Sequence, residues 1–392
     1  MPDMRQPIFY DTTLRDGSQA LRRPWNHEEK ALIFNRLVAL GIKAIEVGFP
    51  AASEMDFKSC CSLAKKAPMD VIVSVLARAV PDDVVKAVEA VKEANHPRLN
   101  IFLMMNSLGV QHVLKKTMEE VTQMAVSSVE LAKKLLPPRG EIEFSVEHFG
   151  DCQDNLPEVL DALEKIVNAG ATIINLPNTV ERTRPSEFVK LVCAVKERLG
   201  NRVQLSVHCH NDLGMATATT VESFFAGASQ LEVTVNGLGE RCGNTNLFEV
   251  AVALYNAGIS IPLKMNQFYY TACFVADMAH IEIAEKAPLM GSDCFVHRSG
   301  VHQDGANKTK SLFKQQYIAY PPELIGRMDG EKFVFTNQSG KLALQLLCKQ
   351  NGVTLTVEQL AMLMPKAKQL AAEQGELSAL DLKPLLDEVV NF

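Results

Sequence analysis

Residues 172–208 read TIINLPNTVERTRPSEFVKLVCAVKERLGNRVQLSVH and carry the pattern that decides the fold. The apolar stretches from Thr172 to Leu176 and from Val203 to His208 have the composition of strands buried on both faces. Between them, Pro185 stands where a helix should begin and Gly200 where it should end. The spacing therefore predicts a strand–helix–strand unit whose two strands run parallel.

The same unit recurs along the first two thirds of the chain. Six further strand-like segments are predicted at Ile8 to Thr12, Ala44 to Gly48, Val71 to Leu76, Leu99 to Leu103, Ile142 to Glu147 and Leu231 to Val235. Eight strand-then-helix units in about 260 residues favour an α/β fold of the closed TIM (β/α)8 barrel type. An open doubly wound sheet is the alternative, but it usually has a glycine-rich turn after its first strand, and residues 12–17 do not form one.

The pattern changes after the eighth unit, where strand-like segments become rare. We expect residues 1–262 to form the barrel and residues 263–392 a C-terminal helical region. Residues 291–311 are polar and contain glycines, which predicts a long loop. A final helical pair is predicted at Glu358 to Gln374 and Leu377 to Val390.

Composition excludes several classes of protein. The 392 residues are 47% hydrophobic and 22% charged, with a net charge of −6, so a broad nucleic-acid-binding face is not expected. No apolar run reaches the roughly 20 residues that span a bilayer, and residues 1–6 lack a signal-peptide pattern. Nine cysteines without a CxxC pair do not form a disulfide framework in a chain of this length. We therefore expect a reduced, cytoplasmic protein.

Polar residues concentrate at the predicted C-terminal ends of the strands, where barrels of this type carry their active sites. His208 and His210 are two residues apart on one strand, so their side chains point the same way and can share a metal ion. Asp16, after the neighbouring first strand, and Asn244 offer oxygen ligands. This set does not choose among Mn²⁺, Zn²⁺, Fe²⁺ and Mg²⁺. A hydrogen-bonded pair of core histidines is the alternative, and for Asn244 the alternative is a helix cap.

Two further segments have both a chemical and a structural interpretation. Arg15, beside Asp16, is suited to stabilising an oxyanion, but it also fits an ordinary loop. The segment Ser299 to Gly305 places His302 between small and acidic residues, as a catalytic loop or as a surface loop.

Five motifs, in chain order, resemble the DRE-TIM metallolyase superfamily. They are Asp11 to Gln19 (DTTLRDGSQ), Glu46 to Pro50 (EVGFP), His208 to Gly214 (HCHNDLG), Asn236 to Asn244 (NGLGERCGN) and Ser299 to Gly305 (SGVHQDG). The last of them looks like the corresponding loop of 2-isopropylmalate synthases and their homocitrate and citramalate synthase relatives. The resemblance covers nearly the whole chain.

The resemblance implies a Claisen condensation of acetyl-CoA with a 2-oxo acid, followed by hydrolysis of the thioester. The leading expectation is 2-oxoisovalerate, which gives 2-isopropylmalate and CoA. Homocitrate, citramalate or another 2-oxo acid synthase remains an alternative, as do a retro-aldol lyase of the superfamily and a non-catalytic homologue. By the family pattern, a divalent Mn, Mg or Zn ion would be bound by Asp16, His208, His210 and Asn244.

The resemblance also assigns roles to other residues. Arg15 would stabilise oxygen charge, Thr179 would hold the substrate carboxylate, and Glu147 would lie near the reacting centre. His302 and Tyr317 would handle the acetyl proton and would come from the C-terminal region of a partner subunit in a homodimer. The remaining positions expected to contact substrate are Gln19, Asn100 and Ser145.

Some positions depart from the family pattern. Asn100 stands where relatives usually carry His, and Glu181-Arg182 stands where many have Gly-Tyr. We expect such departures to bear on the choice of 2-oxo acid, because they lie near the predicted barrel mouth. A dianionic substrate would need an extra cation, for which Arg78 and Arg182 are candidates. Full-length isopropylmalate synthases usually continue into a leucine-binding regulatory domain, so leucine feedback through that domain is not expected here.

Overall fold

A computed structural model describes residues 6–312 and 315–390 of the chain. Eight parallel strands form a closed barrel in which each strand pairs with the next, and β8 pairs with β1. The strands are β1 Ile8–Asp11, β2 Ala44–Glu46, β3 Ile72–Arg78, β4 His96–Met104, β5 Glu141–Glu147, β6 Ile173–Asn178, β7 Gln204–Cys209 and β8 Gln230–Val233. The predicted barrel and all eight of its strands are confirmed.

A helix follows each strand of the barrel. These helices are α1 His27–Leu40, α2 Glu54–Lys66, α3 Pro81–Val91, α4 Met118–Leu135, α5 Leu156–Ala169, α6 Pro185–Leu199, α7 Ala216–Phe225 and α8 Leu247–Asn256. Pro185 is the first residue of α6 and Gly200 caps its C-terminus, as the sequence predicts. Apolar side chains of α6, such as Phe188 and Val192, are fully buried.

The inside of the barrel is unusually polar. On β7, Leu205 and Val207 alternate with Ser206 and His208, and the side chains of the latter two form hydrogen bonds to β8. Period-two alternation therefore places one set of side chains against the helices and the other inside the barrel. The C-terminal ends of all eight strands open on one side, which positions the candidate site.

The chain divides into two compact units. The first comprises Met1–Lys264 and Tyr270–Glu282, and the second comprises Met265–Tyr269 and Ile283–Phe392. The elements after the barrel helices are α9 Phe268–Ala279, β9 Val296–His297, α10 Gly300–Thr309, β10 Lys332–Phe333, α11 Lys341–Gln350, α12 Val357–Gln374 and α13 Ala379–Val390. Helices α11 to α13 share an apolar core around Leu344, Leu363 and Leu386.

The predicted loop at residues 291–311 is wrong, because this stretch contains β9 and α10. Its glycines serve close packing instead of chain flexibility. A Cβ on Gly305 would lie 2.4 Å from the ring of Tyr317, and one on Gly300 would lie 2.7 Å from the backbone of Gly340. Helix α10 therefore tolerates glycines that normally disfavour a helix.

Two further observations concern the whole described chain. No helix within residues 6–312 and 315–390 is long and apolar enough to cross a membrane. All nine cysteines are free thiols.

Candidate active site

A cavity of about 370 Å³ opens at the C-terminal ends of the barrel strands. Most of the barrel residues that the sequence singles out line it, namely Arg15, Asp16, Gln19, Asn100, Ser145, Glu147, Thr179, His208 and His210. The apolar part of its wall comprises Phe49, Leu76, Phe102 and Pro177. The cavity therefore combines a dense group of ionisable side chains with a neutral, partly apolar wall.

Asp16, His208 and His210 converge in this cavity. The two Nε2 atoms of the histidines lie 3.2 Å apart, and Asp16 Oδ2 lies 3.5 Å from His208 Nε2. One ligand atom from each residue lies within 4.8 Å of the other two, and all three residues are buried. The arrangement can hold a metal ion, with two imidazole nitrogens and one carboxylate oxygen as ligands.

Unsatisfied polar atoms support this interpretation. Asp16 Oδ1 and both polar side-chain atoms of Asn244 are buried and have no hydrogen-bond partner in the described chain. Asn244 faces His210 across an isolated β-bridge. Buried polar atoms without partners are costly unless an ion or water completes their coordination. The donor set therefore fits a divalent cation.

Glu232 orients one of the histidines and was not found by the sequence reasoning. Its Oε2 lies 2.8 Å from His208 Nδ1. A carboxylate at Nδ1 keeps the proton on that nitrogen and leaves the Nε2 lone pair free for a metal. Burial, and next the negative charge of Glu46, raises the pKa of Glu232 well above its usual value, and a cation bound by His208 would counteract this shift and favour the carboxylate.

The electrostatics favour the ligand-competent forms of all three residues. Burial lowers the pKa of His208, and burial together with the neighbouring His208 lowers the pKa of His210 to about 3. Burial alone would raise the pKa of Asp16, but Arg15 and both histidines outweigh it and hold that pKa at about 2. Near neutral pH the site thus presents two neutral imidazoles and one carboxylate, the forms that bind metals.

Arg15 is held rigidly at the edge of this site. Its Nε donates to Glu46 Oε2 at 2.5 Å, and its Nη1 lies 3.1 Å from Asp16 Oδ2. Glu46 is fully buried and also accepts hydrogen bonds from Tyr10 and Asn100. The pKa of Arg15 is raised despite its burial, because Glu46 and Asp16 stabilise the cation. Sequence reasoning included Glu46 in a motif but gave it no role.

A row of hydrogen-bonded side chains crosses the cavity floor. Ser145 Oγ donates to Asn100 Oδ1 at 2.7 Å and accepts from Asn175 Nδ2 at 2.9 Å. Beside this row, Thr179 Oγ1 accepts the backbone N–H of His148 at 2.8 Å, so the hydroxyl hydrogen is available to a ligand. Burial raises the pKa of Glu147, which also lines the cavity.

Several expected cavity residues lie elsewhere. Arg78 pairs with Asp83, and Arg182 pairs with Asp151, so neither of these cations lines the cavity. Glu181 is buried and binds backbone N–H groups. Of the positions that depart from the family pattern, Asn100 lies in the cavity wall, whereas Glu181 and Arg182 are not among the lining residues.

His302 and Tyr317 belong to the second unit. Their rings stack with centroids 4.2 Å apart and an interplanar angle of 19°. Tyr317 has a φ of 67° and also packs against Gly305 of α10. The structure thus brings together the two residues that the motif resemblance pairs in function.

Two family models together match most of the chain. Residues 6–275 match the family model described as HMGL-like, and residues 289–375 match the one described as homocitrate synthase post-HMGL domain-like. The chain belongs to the HMGL-like family. The resemblance to this superfamily that the motifs indicate is therefore confirmed.

Curated relatives match along nearly the whole of this chain. A protein of Leptospira interrogans named 2-isopropylmalate synthase 2 is 47% identical over 94% of this chain and 86% of its own length. The 2-isopropylmalate synthases of Dictyoglomus turgidum and Pyrococcus furiosus are 35% and 36% identical, over 99% and 98% of this chain and 76% of each relative.

Solved structures agree on the HMGL-like barrel. Hydroxymethylglutaryl-CoA lyase from Pseudomonas aeruginosa superposes with a TM-score of 0.62 at 19% identity, covering 73% of this chain and 97% of the lyase. HMG-CoA lyase from Brucella melitensis gives 0.59 at 19% identity, covering 70% and 99%. At this identity the likeness concerns the fold alone.

Proposed function

We propose that the chain is an acyltransferase that condenses acetyl-CoA with 2-oxoisovalerate to give 2-isopropylmalate and CoA. The names of its relatives support this reaction. The observation that carries the proposal is the buried Asp16–His208–His210 group beside a neutral, partly apolar wall.

The residues of the site would divide the chemistry as follows. Asp16, His208 and His210, with Asn244, would hold a Mn, Mg or Zn ion. When bound, a divalent metal supplies Lewis-acid polarisation of a keto group. Arg15 would stabilise the negative charge that develops on the keto oxygen, since its guanidinium is fixed beside Asp16.

Substrate binding would rest on other cavity residues. The hydroxyl of Thr179 would donate to the carboxylate of the 2-oxo acid, and Gln19, Asn100 and Ser145 would complete the polar surroundings. The branched side chain would lie against the apolar wall, where burying each methylene contributes about 0.8 kcal/mol.

Carbon–carbon bond formation needs a base, because the methyl group of a thioester is a weak acid. We propose that His302 and Tyr317, whose rings stack, come from a partner subunit and take up the acetyl proton, and that Glu147 lies near the reacting centre. Loss of that proton gives an enolate, whose carbon bonds to the keto carbon while the keto oxygen becomes a hydroxyl. Water then cleaves the thioester and releases the CoA thiol.

The cavity disfavours a dianionic 2-oxo acid. Of the cations that line it, Arg15 is paired with Asp16 and Glu46, and Arg241 is paired with Asp212. A second substrate carboxylate would be desolvated there without a free partner. This arrangement favours 2-oxoisovalerate over 2-oxoglutarate.

The decisive experiment is CoA release from acetyl-CoA with a panel of 2-oxo acids, with Mn²⁺, Mg²⁺ or Zn²⁺ and without metal. We expect metal-dependent release that is fastest with 2-oxoisovalerate. Preference for pyruvate or 2-oxoglutarate would retain the reaction type and overturn the substrate. Absence of release from a folded, metal-loaded sample would overturn the reaction itself.

Three organisational proposals accompany the reaction. We propose a homodimer, to be tested by light scattering after gel filtration. We also propose that residues 1–262 form the catalytic domain and that residues 263–392 form C-terminal helical subdomains. We also propose a cytoplasmic location, which nine free thiols support because reducing compartments keep cysteines unpaired.

A further inference from the structure

Loops after three neighbouring strands are connected beside the cavity. Arg241, after β8, donates to both carboxylate oxygens of Asp212, after β7, at 2.7 and 2.9 Å. Arg241 also donates to the backbone oxygen of Thr179, after β6, at 2.7 Å. The backbone φ of Arg241 is 56°, a value that residues other than glycine rarely adopt. The surrounding contacts must therefore hold Arg241 in this conformation.

Glu181 occupies the centre of these connections. Only 1% of its surface is exposed, and it forms no ion pair within residues 6–312 and 315–390. Its Oε2 accepts the N–H of Leu213 at 2.5 Å, and its Oε1 accepts the N–H of Met215 at 2.9 Å. Its own N–H points to Asp212 Oδ2 at 3.4 Å. A buried carboxylate is costly unless hydrogen-bond donors satisfy it. Both backbone donors to Glu181 lie in the loop after β7, so these contacts connect Glu181 to that loop.

We propose that Glu181 is a positioning residue for the binding of the 2-oxo acid. Glu181 fixes the loop after β7, and this loop determines the position of Asp212. Asp212 holds Arg241, and Arg241 in turn holds the backbone of Thr179 at the cavity. The inference rests on the proposed function, in which Thr179 binds the substrate carboxylate.

The test compares Glu181→Ala and Glu181→Gln with the wild type. In Glu181→Ala we expect at least tenfold faster amide exchange in peptides covering residues 211–216, because two hydrogen bonds to a carboxylate are lost. The KM for 2-oxoisovalerate should rise about tenfold. The KM for acetyl-CoA and the Kd for Mn²⁺ should stay within about twofold, since the metal-ligand candidates do not contact Glu181. Glu181→Gln keeps one acceptor oxygen and should give intermediate values.

Glu187→Gln is the matched control. Glu187 lies in the first turn of α6, is partly exposed, and pairs with Arg184 away from the cavity. A glutamine there preserves the capping interaction, so wild-type exchange and KM are expected.

Two results would overturn the proposal. Unchanged exchange at residues 211–216 in Glu181→Ala would show that Glu181 does not hold this loop. Faster exchange with an unchanged KM for 2-oxoisovalerate would show that the loop does not position the site. If the wild type releases no CoA with any 2-oxo acid, the proposed function fails by itself. The Kd of 2-oxoisovalerate for the Mn²⁺-loaded protein then replaces KM in the same comparison.

Discussion

Two clusters of buried polar side chains lie inside the same barrel and differ in how fully they are hydrogen-bonded. Towards the N-terminal ends of the strands, Arg98 donates to Glu141, Glu143 and Gln230 at 2.7–3.4 Å, and Gln230 also donates to Glu143 and Ser206. Every polar side-chain atom of the buried Arg98, Glu143 and Gln230 has a partner in the described chain.

At the opposite end, polar atoms lack partners. Asp16 Oδ1, His210 Nδ1, Glu232 Oε1 and both polar atoms of Asn244 are buried without a hydrogen bond in the described chain. Both clusters contain buried carboxyl and amide side chains, so the presence of these residue types does not separate them. A saturated cluster stabilises the fold, whereas an unsaturated one is ready to bind a ligand.

The strongest test of this contrast removes one of the proposed metal-binding side chains at the unsaturated end. We expect His208→Ala to lose bound metal and to lower CoA release by more than about 100-fold, beyond the loss usual for a residue that only supports a ligand. Metal content after dialysis and CoA release measure the two effects. His112→Ala, which alters an exposed histidine, should change neither. Full metal content in His208→Ala would remove this residue from the ligand set.

A change at the saturated end should act on stability instead. Arg98→Met leaves Glu143 buried without its cation and should cost about 3–5 kcal/mol of the free energy of unfolding, measured in urea. The folded fraction should bind Mn²⁺ as the wild type does. Adding Glu143→Leu should recover much of the stability, because the unpaired charge is then gone. A weakened metal affinity in folded Arg98→Met would contradict the separation of the two clusters.

Sequence reasoning located the unsaturated end better than the saturated one. Asp16, His208 and His210 follow from their positions at strand ends, because all strand ends of a barrel meet on one side. Finding the partner Glu232 requires the register between β7 and β8, in which Ser206 lies opposite Gln230. Two residues further along both strands, His208 and Glu232 are level, and no local pattern reveals that pairing.

The errors have a common physical cause. Gly300 and Gly305 suggested a loop because a sequence does not show whether a glycine is needed for flexibility or for close contact. Glu181 was expected near the barrel mouth because it follows Thr179 closely, yet its carboxylate turns to the backbone of the next loop. Both outcomes depend on tertiary contacts between segments that are distant in sequence.

A smaller effect is expected from the residue that orients His208. In Glu232→Gln the amide oxygen can still accept the proton on Nδ1, so the tautomer is kept while the negative charge is lost. Metal affinity should fall about tenfold, the lower end of what such supporting groups contribute. Glu249→Gln changes another partly buried carboxyl, which contacts Thr217, and serves as the control in the same titration. An unchanged Kd for Mn²⁺ in Glu232→Gln would restrict Glu232 to a structural role.

The mildest test uses pH in place of substitution. Two histidines with an ordinary pKa of about 6.5 would each be roughly nine-tenths protonated at pH 5.5, which would weaken a metal site about 100-fold. Because burial lowers the pKa of both His208 and His210, protons should compete only at lower pH. Asp16, with a pKa of about 2, remains a carboxylate throughout this range. We therefore expect the Kd for Mn²⁺ to change less than about tenfold between pH 7.5 and 5.5, measured by isothermal titration calorimetry. A 100-fold loss of Mn²⁺ affinity would show that the histidines titrate as exposed side chains do. The unsaturated cluster would then not be buried, and its contrast with the buried Arg98 cluster would fail.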